Sequence, residues 1–385
     1  MTTPRIIISG GGTGGHIFPA VSIANAIREL RPEAQILFIG AEGRMEMQRV
    51  PQAGYEIKGL PIRGFYRPLW KPQNIGVALD YLRSKRMAKR ILKEFRPQVA
   101  VGVGGYASSA ALGAANSLGI PTLIQEQNSY AGLANKQLAA KAAKICVAYE
   151  GMERFFPKDK LMLTGNPVRQ SLLSSPITRE EALKSLGLDP TKKTILLVGG
   201  SLGARTINES VLSHLKEIAE SDLQFIWQTG KYYHEEMEQR LKEYNAQLST
   251  LNSQLSTLNS KLSNLKPQAF IADMAAAYRA ADLVVSRAGA SSISEFCLIG
   301  KPVILVPSPN VAEDHQTKNA LALANRDAAL YVKDSEAQEK LIPLAMQTVA
   351  DDARLKNLSE NVLKMALPDS ARIIAEEVLK LAIAV

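Results

Sequence analysis

The sequence predicts an α/β protein with two Rossmann-like domains, each built around a parallel β-sheet. Short apolar, β-branched runs alternate with helical patterns along the 385 residues, as is typical of parallel strands that helices cover on both faces. A chain of this length also favours two domains. The order strand, glycine-rich turn, helix occurs at residues 5–20 and again at 194–204. The second half of the chain therefore repeats the plan of the first.

Nine segments are predicted as strands from their apolar and β-branched composition. They are Arg5–Ser9, Gln35–Ile39, Val99–Val103, Thr122–Gln125, Ile145–Ala148, Thr194–Val198, Gln224–Gln228, Leu283–Ser286 and Val303–Val306. We place the domain boundary near Gly165, so that residues 1–165 form the first domain and residues 166–368 the second. Residues 369–385 are predicted to form a final helix. The ligand cleft is expected between the domains, at the carboxyl ends of the strands.

The first glycine turn is the most informative segment of the chain. Residues 5–20 read RIIISGGGTGGHIFPA, where a β-branched run meets five glycines within six residues and a helical pattern starts at Pro19. The glycines satisfy the G-x-G-x-x-G pattern of dinucleotide-binding turns. Thr13 and His16 lie outside that pattern and add a hydroxyl and an imidazole beside a turn suited to phosphates or sugars. The addition favours group transfer over cofactor binding, although Glu42 offers a ribose-binding acid for a dinucleotide site.

Several later turns also place small or polar residues after predicted strands, and each has a plain structural alternative. Gly199–Gly203 offers backbone N–H groups and the Ser201 hydroxyl to a diphosphate, or is an ordinary Rossmann turn. Residues 286–295 read SRAGASSISE, where Glu295 either holds the two hydroxyls of a ribose or caps a helix. The polar residues of the remaining three turns are either ligand contacts or loop residues. These turns are Gly104–Ser108, Glu126–Asn128 and Asp314–Gln316.

The composition restricts the classes of function that the protein can have. The net charge is +9, which suits anionic substrates or an anionic membrane surface, but no nucleic-acid-binding module or basic tail is present. Cys146 and Cys297 lie far apart and fit a reducing compartment, and no metal-ligand spacing occurs. We therefore predict no metal, and no cofactor for the group transfer that the first glycine turn favours. Neither a signal peptide nor a membrane-spanning run is recognisable, so the protein is predicted to be soluble or peripheral.

Residues 63–93 mix apolar and basic side chains in the pattern of an amphipathic helix. Ile75, Leu79 and Leu82 fall on one helical stripe, and aromatic residues including Trp70 precede it. The pattern fits either contact with an anionic lipid surface or an ordinary helix with a solvated basic face. The aromatic residues favour membrane contact.

A tandem repeat interrupts the second domain at residues 247–266. Leu248-Ser-Thr-Leu-Asn-Ser-Gln recurs as Leu255-Ser-Thr-Leu-Asn-Ser-Lys, followed by Leu262-Ser-Asn-Leu. The leucine spacing is that of a heptad, although serine, threonine and asparagine favour a helix only weakly. We predict a solvent-exposed helical insertion, with a dimerisation element as the alternative.

Taken together, the motifs resemble the MurG family of peptidoglycan N-acetylglucosaminyltransferases. The matching segments occur in the expected order over nearly the whole chain. They are Gly11–Pro19, Gly104–Tyr106, Glu126–Asn128, Gly165–Arg169, Gly199–Ala204 and Arg287–Glu295. The resemblance implies a GT-B fold, whose parallel sheets face each other across a cleft, and a last helix that returns to the N-terminal domain.

The resemblance also implies a reaction and its partners. It implies inverting transfer of N-acetylglucosamine (GlcNAc) from UDP-GlcNAc to the C4 hydroxyl of the muramyl sugar of lipid I, which forms lipid II. The enzyme would act as a peripheral protein at the cytoplasmic face of the bacterial inner membrane, beside an anionic lipid surface and other cell-wall synthesis proteins. The first domain would face acceptor and membrane, and the second would bind UDP-GlcNAc. The acceptor's peptide composition and the oligomeric state are left open.

Residue by residue, the resemblance divides the candidate site into three groups. His16 is the first candidate for the catalytic base and Glu126 the second, with acceptor-diphosphate binding as the other role for His16. Gly104, Gly105 and Tyr106 would line the acceptor side. Contacts to UDP-GlcNAc are assigned to Thr13, Gly14, Gly15, Asn128, Arg169, Ser201, Ile271, Ala290, Ser291, Ser292, Ile293, Ser294, Glu295 and Gln316.

Three other functions stay open from the sequence alone. Another GT-B enzyme, a lipid glycosyltransferase or a UDP-GlcNAc epimerase, would share the fold but use another acceptor or none. A Rossmann oxidoreductase would use Glu42 to hold its cofactor. A non-catalytic protein would bind a nucleotide sugar or a membrane without releasing UDP.

Overall fold

The computed structural model divides the chain into two compact units. Unit 1 comprises residues 1–169 and 367–385, and unit 2 comprises residues 170–366. The structure describes residues 3–12, 14–64, 66, 70–168, 172, 175–200, 202–252, 262–311 and 314–383, without the side chains of 248–252. Each unit is an α/β layer structure with its own parallel sheet.

Unit 1 is built on a seven-stranded parallel sheet in the order β3-β2-β1-β4-β5-β6-β7. The strands are β1 (Arg5–Ser9), β2 (Gln35–Ala41), β3 (Glu56–Leu60), β4 (Val99–Gly102), β5 (Thr122–Glu126), β6 (Lys144–Val147) and β7 (Leu161–Leu163). The helices are α1 (Gly14–Leu30), α2 (Glu46–Gln52), α3 (Gln73–Phe95), α4 (Tyr106–Ser117) and α5 (Leu133–Leu138). The order reverses between β1 and β4, and ligands of such sheets bind at that point.

The last helix of the chain packs on unit 1. This helix, α15 (Ser370–Ile383), buries Ile374 and Val378 in one core cluster with Ile23 and Ile27 of α1. A second core cluster lies on the opposite face of the sheet, where α4 contributes alanines that allow close packing.

Unit 2 is built on a six-stranded parallel sheet in the order β10-β9-β8-β11-β12-β13. The strands are β8 (Thr194–Val198), β9 (Gln224–Gln228), β10 (Leu265–Gln268), β11 (Leu283–Ser286), β12 (Val303–Leu305) and β13 (Leu330–Tyr331). The helices are α6 (Arg179–Ser185), α7 (Arg205–Ser213), α8 (Leu215–Glu220), α9 (His234–Asn252), α10 (Met274–Ala280), α11 (Ala290–Ile299), α12 (His315–Ala324), α13 (Asp334–Ala350) and α14 (Asp352–Leu363). Here the order reverses between β8 and β11.

Two local predictions are wrong. Helix α1 begins at Gly14 rather than Pro19, and Pro19 lies inside the helix. The tandem repeat is not wholly an exposed insertion, because Leu262 and Leu265 are buried in the core of unit 2. Leu265 opens β10 and pairs with Phe225 of β9. The backbone of the first repeat continues α9 to Asn252, and residues 253–261 lie outside the described part of the chain.

Candidate active site

In unit 1, the glycine turn after β1 meets the turn after β4 at the reversal point of the sheet. His16 lies in the first turn of α1 and its Nδ1 is 3.0 Å from the carbonyl oxygen of Gly11. Since a carbonyl only accepts, Nδ1 carries the proton, and the lone pair of the neutral imidazole is on Nε2. A Cβ at Gly104 would lie 2.9 Å from that Nε2. The glycine after β4 therefore leaves the room that the imidazole occupies.

The close approach of the two turns explains their glycines. Gly104 and Gly105 have φ values of 98° and 85°, and a Cβ at Gly105 would lie 2.6 Å from the carbonyl oxygen of Gly11. Gly105 leads into α4, whose first residue, Tyr106, is half exposed. The structure thus brings together His16, Gly104, Gly105 and the α1 N-terminus with Gly14 and Gly15. Acceptor contact by Gly104 and Gly105 and UDP-GlcNAc contact by Gly14 and Gly15 stay predictions. Thr13 lies outside the described residues.

Glu126 organises the loop after β5. Its side chain is 2% exposed, and Oε1 accepts from the Asn128 backbone N–H at 3.1 Å and from Asn128 Nδ2 at 3.3 Å. Oε2 accepts from the Gly132 N–H at 3.0 Å and from Asn135 Nδ2 at 2.8 Å. With four donors on one buried carboxylate, the geometry favours a positioning role for Glu126 over proton abstraction.

An amide network fixes the segment that precedes Arg169. Gln125 Nε2 donates to Asn166 Oδ1 at 2.9 Å, and Asn166 Nδ2 donates to the Gln127 carbonyl at 3.0 Å. All three side chains are buried, so the network ties residues 165–168 to the loop after β5. Arg169 itself lies outside the described residues.

In unit 2, the turn after β8 and the turn after β11 flank the reversal point of the second sheet. Gly200 and Gly203 have φ values of 89° and 93°. A Cβ at Gly203 would lie 2.3 Å from the Thr229 carbonyl oxygen, so only glycine allows this approach to the end of β9. Ser201, between the two glycines, lies outside the described residues.

Gln228, at the carboxyl end of β9, joins two segments of this site. Its Nε2 donates to the Gly200 carbonyl at 2.9 Å, and its Oε1 accepts from the Ile271 N–H at 2.9 Å. The side chain is 3% exposed. Gln228 is not among the residues predicted from the motifs, although a glutamine that ends an apolar strand is a recognisable signal. Ile271, whose side chain is buried, is held in place by this bond despite the repeat upstream.

The turn after β11 is anchored by Arg287 and followed by α11. Arg287 Nη1 donates to the carbonyls of Val306 and Pro307, both at 3.1 Å, and pairs with Asp334. Glu295 is buried and accepts from the Tyr278 hydroxyl at 3.1 Å on Oε2. The Ser291 hydroxyl oxygen is buried without a hydrogen-bond partner among the described residues.

The remaining predicted donor-side residues lie on or near the same helix. Ala290 and Ile293 are buried, whereas Ser292 and Ser294 are partly exposed at the start of α11. Gln316, at the start of α12, accepts from the Ser308 N–H on Oε1 at 2.9 Å. These positions stay predictions for ligand contact.

The two thiols take no part in the candidate chemistry. Cys146 and Cys297 are buried, and burial raises the pKa of each to about 12. Since the thiolate is the reactive form of cysteine, both side chains are inert core residues. Over the described residues, no three His, Cys, Asp or Glu side chains are grouped to hold a metal ion.

Two family models match the chain in the order of its units. The glycosyltransferase family 28 N-terminal domain matches residues 6–147, and the glycosyltransferase family 28 C-terminal domain matches residues 194–374. Together with the seven-stranded and six-stranded parallel sheets, these matches confirm the predicted GT-B fold class.

Curated relatives and solved structures point to the same family as these two models. A Bacteroides thetaiotaomicron protein is 64% identical over 98% of both chains, and a Bacteroides fragilis protein is 63% identical over 98% of this chain and 96% of the relative. Both are named UDP-N-acetylglucosamine–N-acetylmuramyl-(pentapeptide) pyrophosphoryl-undecaprenol N-acetylglucosamine transferase. The crystal structure of Acinetobacter baumannii MurG matches with a TM-score of 0.75 at 28% identity, over 98% of this chain and 99% of that one. A UDP-GlcNAc 2-epimerase from Neisseria meningitidis shares the fold, with a TM-score of 0.65 at 16% identity over 98% of this chain and all of that one. The chain therefore belongs to the MurG family of glycosyltransferases.

Proposed function

We infer that the protein is an inverting glycosyltransferase that moves GlcNAc from UDP-GlcNAc to the C4 hydroxyl of the muramyl sugar of lipid I. The product would be lipid II, in peptidoglycan synthesis. The observation that carries this inference is the shared name of relatives 63–64% identical over almost the entire chain. The two glycine-turn sites, one in each unit, are consistent with separate acceptor and donor substrates.

In the proposed reaction, His16 acts as the base. The C4 hydroxyl oxygen attacks C1 of GlcNAc from the side opposite the diphosphate, and the C1–O bond breaks. The diphosphate leaves with the bonding electrons as UDP, and the hydroxyl proton passes to Nε2 of His16. The bond from Nδ1–H to the Gly11 carbonyl supports this role, because it leaves the lone pair on Nε2. Glu126 is assigned to positioning the loop that carries Asn128.

The donor is assigned to unit 2. Glu295 would accept hydrogen bonds from the two ribose hydroxyls, and Ile271 would contact the uracil. The Ser291 hydroxyl, which has no hydrogen-bond partner among the described residues, supports a ligand at the start of α11. The leaving diphosphate gains negative charge, which the N–H groups of the Gly199–Gly203 turn would stabilise together with Ser201 and Arg169.

The reaction class is tested by UDP release. We expect release from UDP-GlcNAc only when a lipid I analogue is present, because transfer needs the acceptor hydroxyl. A lipid glycosyltransferase of another kind would release UDP with a different acceptor, and a binding protein would release none. UDP release that does not depend on the acceptor would refute the proposal.

Gln228 gives a prediction for the donor site. Replacing it by methionine leaves the Gly200 carbonyl and the Ile271 N–H without their buried partner, which costs about 1–3 kcal/mol for each unpaired group. We expect the KM for UDP-GlcNAc to rise about tenfold or more, because Gly200 and Ile271 belong to the proposed donor site. The measurement is steady-state kinetics with the acceptor saturating.

Gln224 supplies the matched control for this prediction. It lies at the other end of β9 and is also buried. Its Oε1 accepts from the Asp189 backbone N–H at 2.7 Å, and its Nε2 donates to the Asp189 carbonyl at 2.9 Å. Gln224→Met should lower stability by a similar amount without raising the KM for UDP-GlcNAc. Equal KM values for both variants would contradict the role of Gln228.

Association with an anionic membrane surface is proposed for α3 and the segment before it. Trp70 is 85% exposed, and Ile75, Leu79 and Leu82 are also exposed. Exposed cations surround this stripe, among them Lys71, Arg83, Arg86 and Arg90. Phe65, Arg67 and Leu69, which belong to the same predicted pattern, lie outside the described residues. None of the helices is long and apolar enough to span a membrane over the described part of the chain.

The membrane proposal predicts a loss of vesicle binding. Substituting Ile75 and Leu79 by serine should weaken binding to phosphatidylglycerol vesicles by about tenfold or more, because each side chain loses apolar burial in the lipid. Binding is measured by co-sedimentation, with Tyr232→Ser, an exposed aromatic of unit 2, as the control. Unchanged binding by the Ile75/Leu79 variant would refute the assignment of this surface.

A further inference from the structure

A buried carboxylate lies beneath the glycine turn of unit 1. Glu46, the first residue of α2, is 0% exposed. Its Oε1 accepts from the Ala41 N–H at 3.1 Å, and its Oε2 accepts from the Gly12 N–H at 3.0 Å. Both carboxylate oxygens therefore face N–H donors, which suits the ionised group.

Glycines make room for this carboxylate. A Cβ at Gly11 would lie 2.0 Å from Glu46 Oε1, and a Cβ at Gly40 would lie 2.7 Å from Glu46 Cγ. Any side chain at Gly11 would displace the carboxylate from the turn. Gly11 and Gly40 are therefore needed for the Glu46 carboxylate to reach the turn.

One peptide group takes part in both hydrogen bonds. This group consists of the Gly11 carbonyl, which faces His16, and the Gly12 N–H, which faces Glu46. The carbonyl accepts from His16 Nδ1 at 3.0 Å, and the N–H of the same group donates to Glu46 Oε2 at 3.0 Å. Hydrogen bonds in series through a conjugated amide polarise one another. A negative charge on the N–H side makes the carbonyl a stronger acceptor on the imidazole side.

We propose that Glu46, the Gly11–Gly12 peptide group and His16 form a relay that holds the imidazole in its Nδ1–H tautomer and supports positive charge on the ring. The arrangement does through a peptide group what a directly bonded carboxylate does for histidine in serine proteases. Glu46 is a positioning residue, since it acts on His16 only through the turn. The proposal rests on the assignment of His16 as the base, but it predicts a property of the ring that is measured without turnover.

The other titratable groups on the segments next to the turn are few among the described residues. Glu42 and Arg44 lie between β2 and α2, and Tyr106 opens α4. All three side chains are exposed. Glu42→Gln therefore removes a charge of the same sign four residues from Glu46 without touching the turn, and serves as the control for a general electrostatic effect.

The test combines imidazole nitrogen NMR with kinetics of Glu46→Gln. The amide of glutamine satisfies only one of the two N–H groups and places a donor against the other. We expect the preference of the neutral His16 ring for the Nδ1–H tautomer to weaken, because the Gly11 carbonyl becomes a weaker acceptor. We also expect kcat to fall roughly tenfold or more, with the acid limb of its pH profile moving to lower pH. Glu42→Gln should leave both readouts as in the wild type.

Two outcomes decide the proposal. A Glu46→Gln protein with wild-type tautomer and pH profile would overturn the relay, whatever the role of His16. If Glu46→Gln changes the tautomer preference while His16→Ala stays fully active, the relay is supported and the assignment of His16 as the base is refuted.

If Glu46→Gln does not fold, the relay is tested on the wild-type protein instead. The Gly12 amide proton shift must then follow the titration of His16, and an amide shift that ignores that titration would overturn the relay.

Discussion

Replacing His16 by alanine is expected to lower kcat by about two to four orders of magnitude, the usual contribution of a general base. The structural reason is the tautomer, since Nδ1 bonds the Gly11 carbonyl at 3.0 Å and the lone pair is left on Nε2. The acid limb of the kcat profile, which reports protonation of the base, should disappear in the variant. Steady-state kinetics across pH with both substrates saturating measures these effects.

His214 provides the matched control for the His16 prediction. Its Nδ1 also bonds a backbone carbonyl, that of Ser210 at 2.9 Å, but within unit 2. His214→Ala should keep the wild-type pH profile. A His16→Ala enzyme that keeps a near wild-type rate and profile would rule out the base role, and a change confined to the acceptor KM would assign His16 to acceptor-diphosphate binding.

Replacing Glu295 by alanine is expected to raise the KM for UDP-GlcNAc by about a hundredfold or more. Hydrogen bonds to a charged group contribute about 1.5–3 kcal/mol each, and the proposed contact with the ribose supplies two. The substitution should also abolish discrimination against a 2′-deoxyuridine donor, because that discrimination depends on the lost contact. Comparing kcat/KM for the ribo and deoxyribo donors measures both effects.

Tyr278→Phe tests whether the proposed ribose contact depends on the hydrogen bond that Tyr278 donates to the Glu295 carboxylate. The Tyr278 hydroxyl donates to Glu295 Oε2 at 3.1 Å, so phenylalanine removes that bond while keeping the charge. We expect only a small rise in KM and retained discrimination between the two donors. If Glu295→Ala still discriminates like the wild type, the ribose is bound elsewhere.

The strands that the sequence predicts and those that it misses differ in their place in the sheet. All nine predicted strands are present, with ends shifted by at most two residues. The missed strands β3, β7, β10 and β13 are the edge strands of the two sheets. An edge strand is covered less completely, so its sequence need not be apolar. Strand β3, which reads Glu-Ile-Lys-Gly-Leu, has no continuous apolar run for this reason.

The glycine turns were predictable because glycines follow apolar strands in the sequence. The described glycines of the two turns, among them Gly12 and Gly203, lie after β1 and β8, at the reversal points of the two sheets. Glu46 was not predictable in the same way, because its partner Gly12 is 34 residues away and nothing in the local sequence marks the contact. Its importance follows from burial of a carboxylate against the backbone, which is a property of the fold.

The proposed reaction forms a β-linkage to a muramyl sugar from an α-linked nucleotide sugar. The most direct measurement is NMR of the product from UDP-GlcNAc and a lipid I analogue. A single in-line displacement predicts GlcNAc joined in the β configuration to the muramyl C4 oxygen. An α-linked product, or GlcNAc attached at another position, would contradict the account.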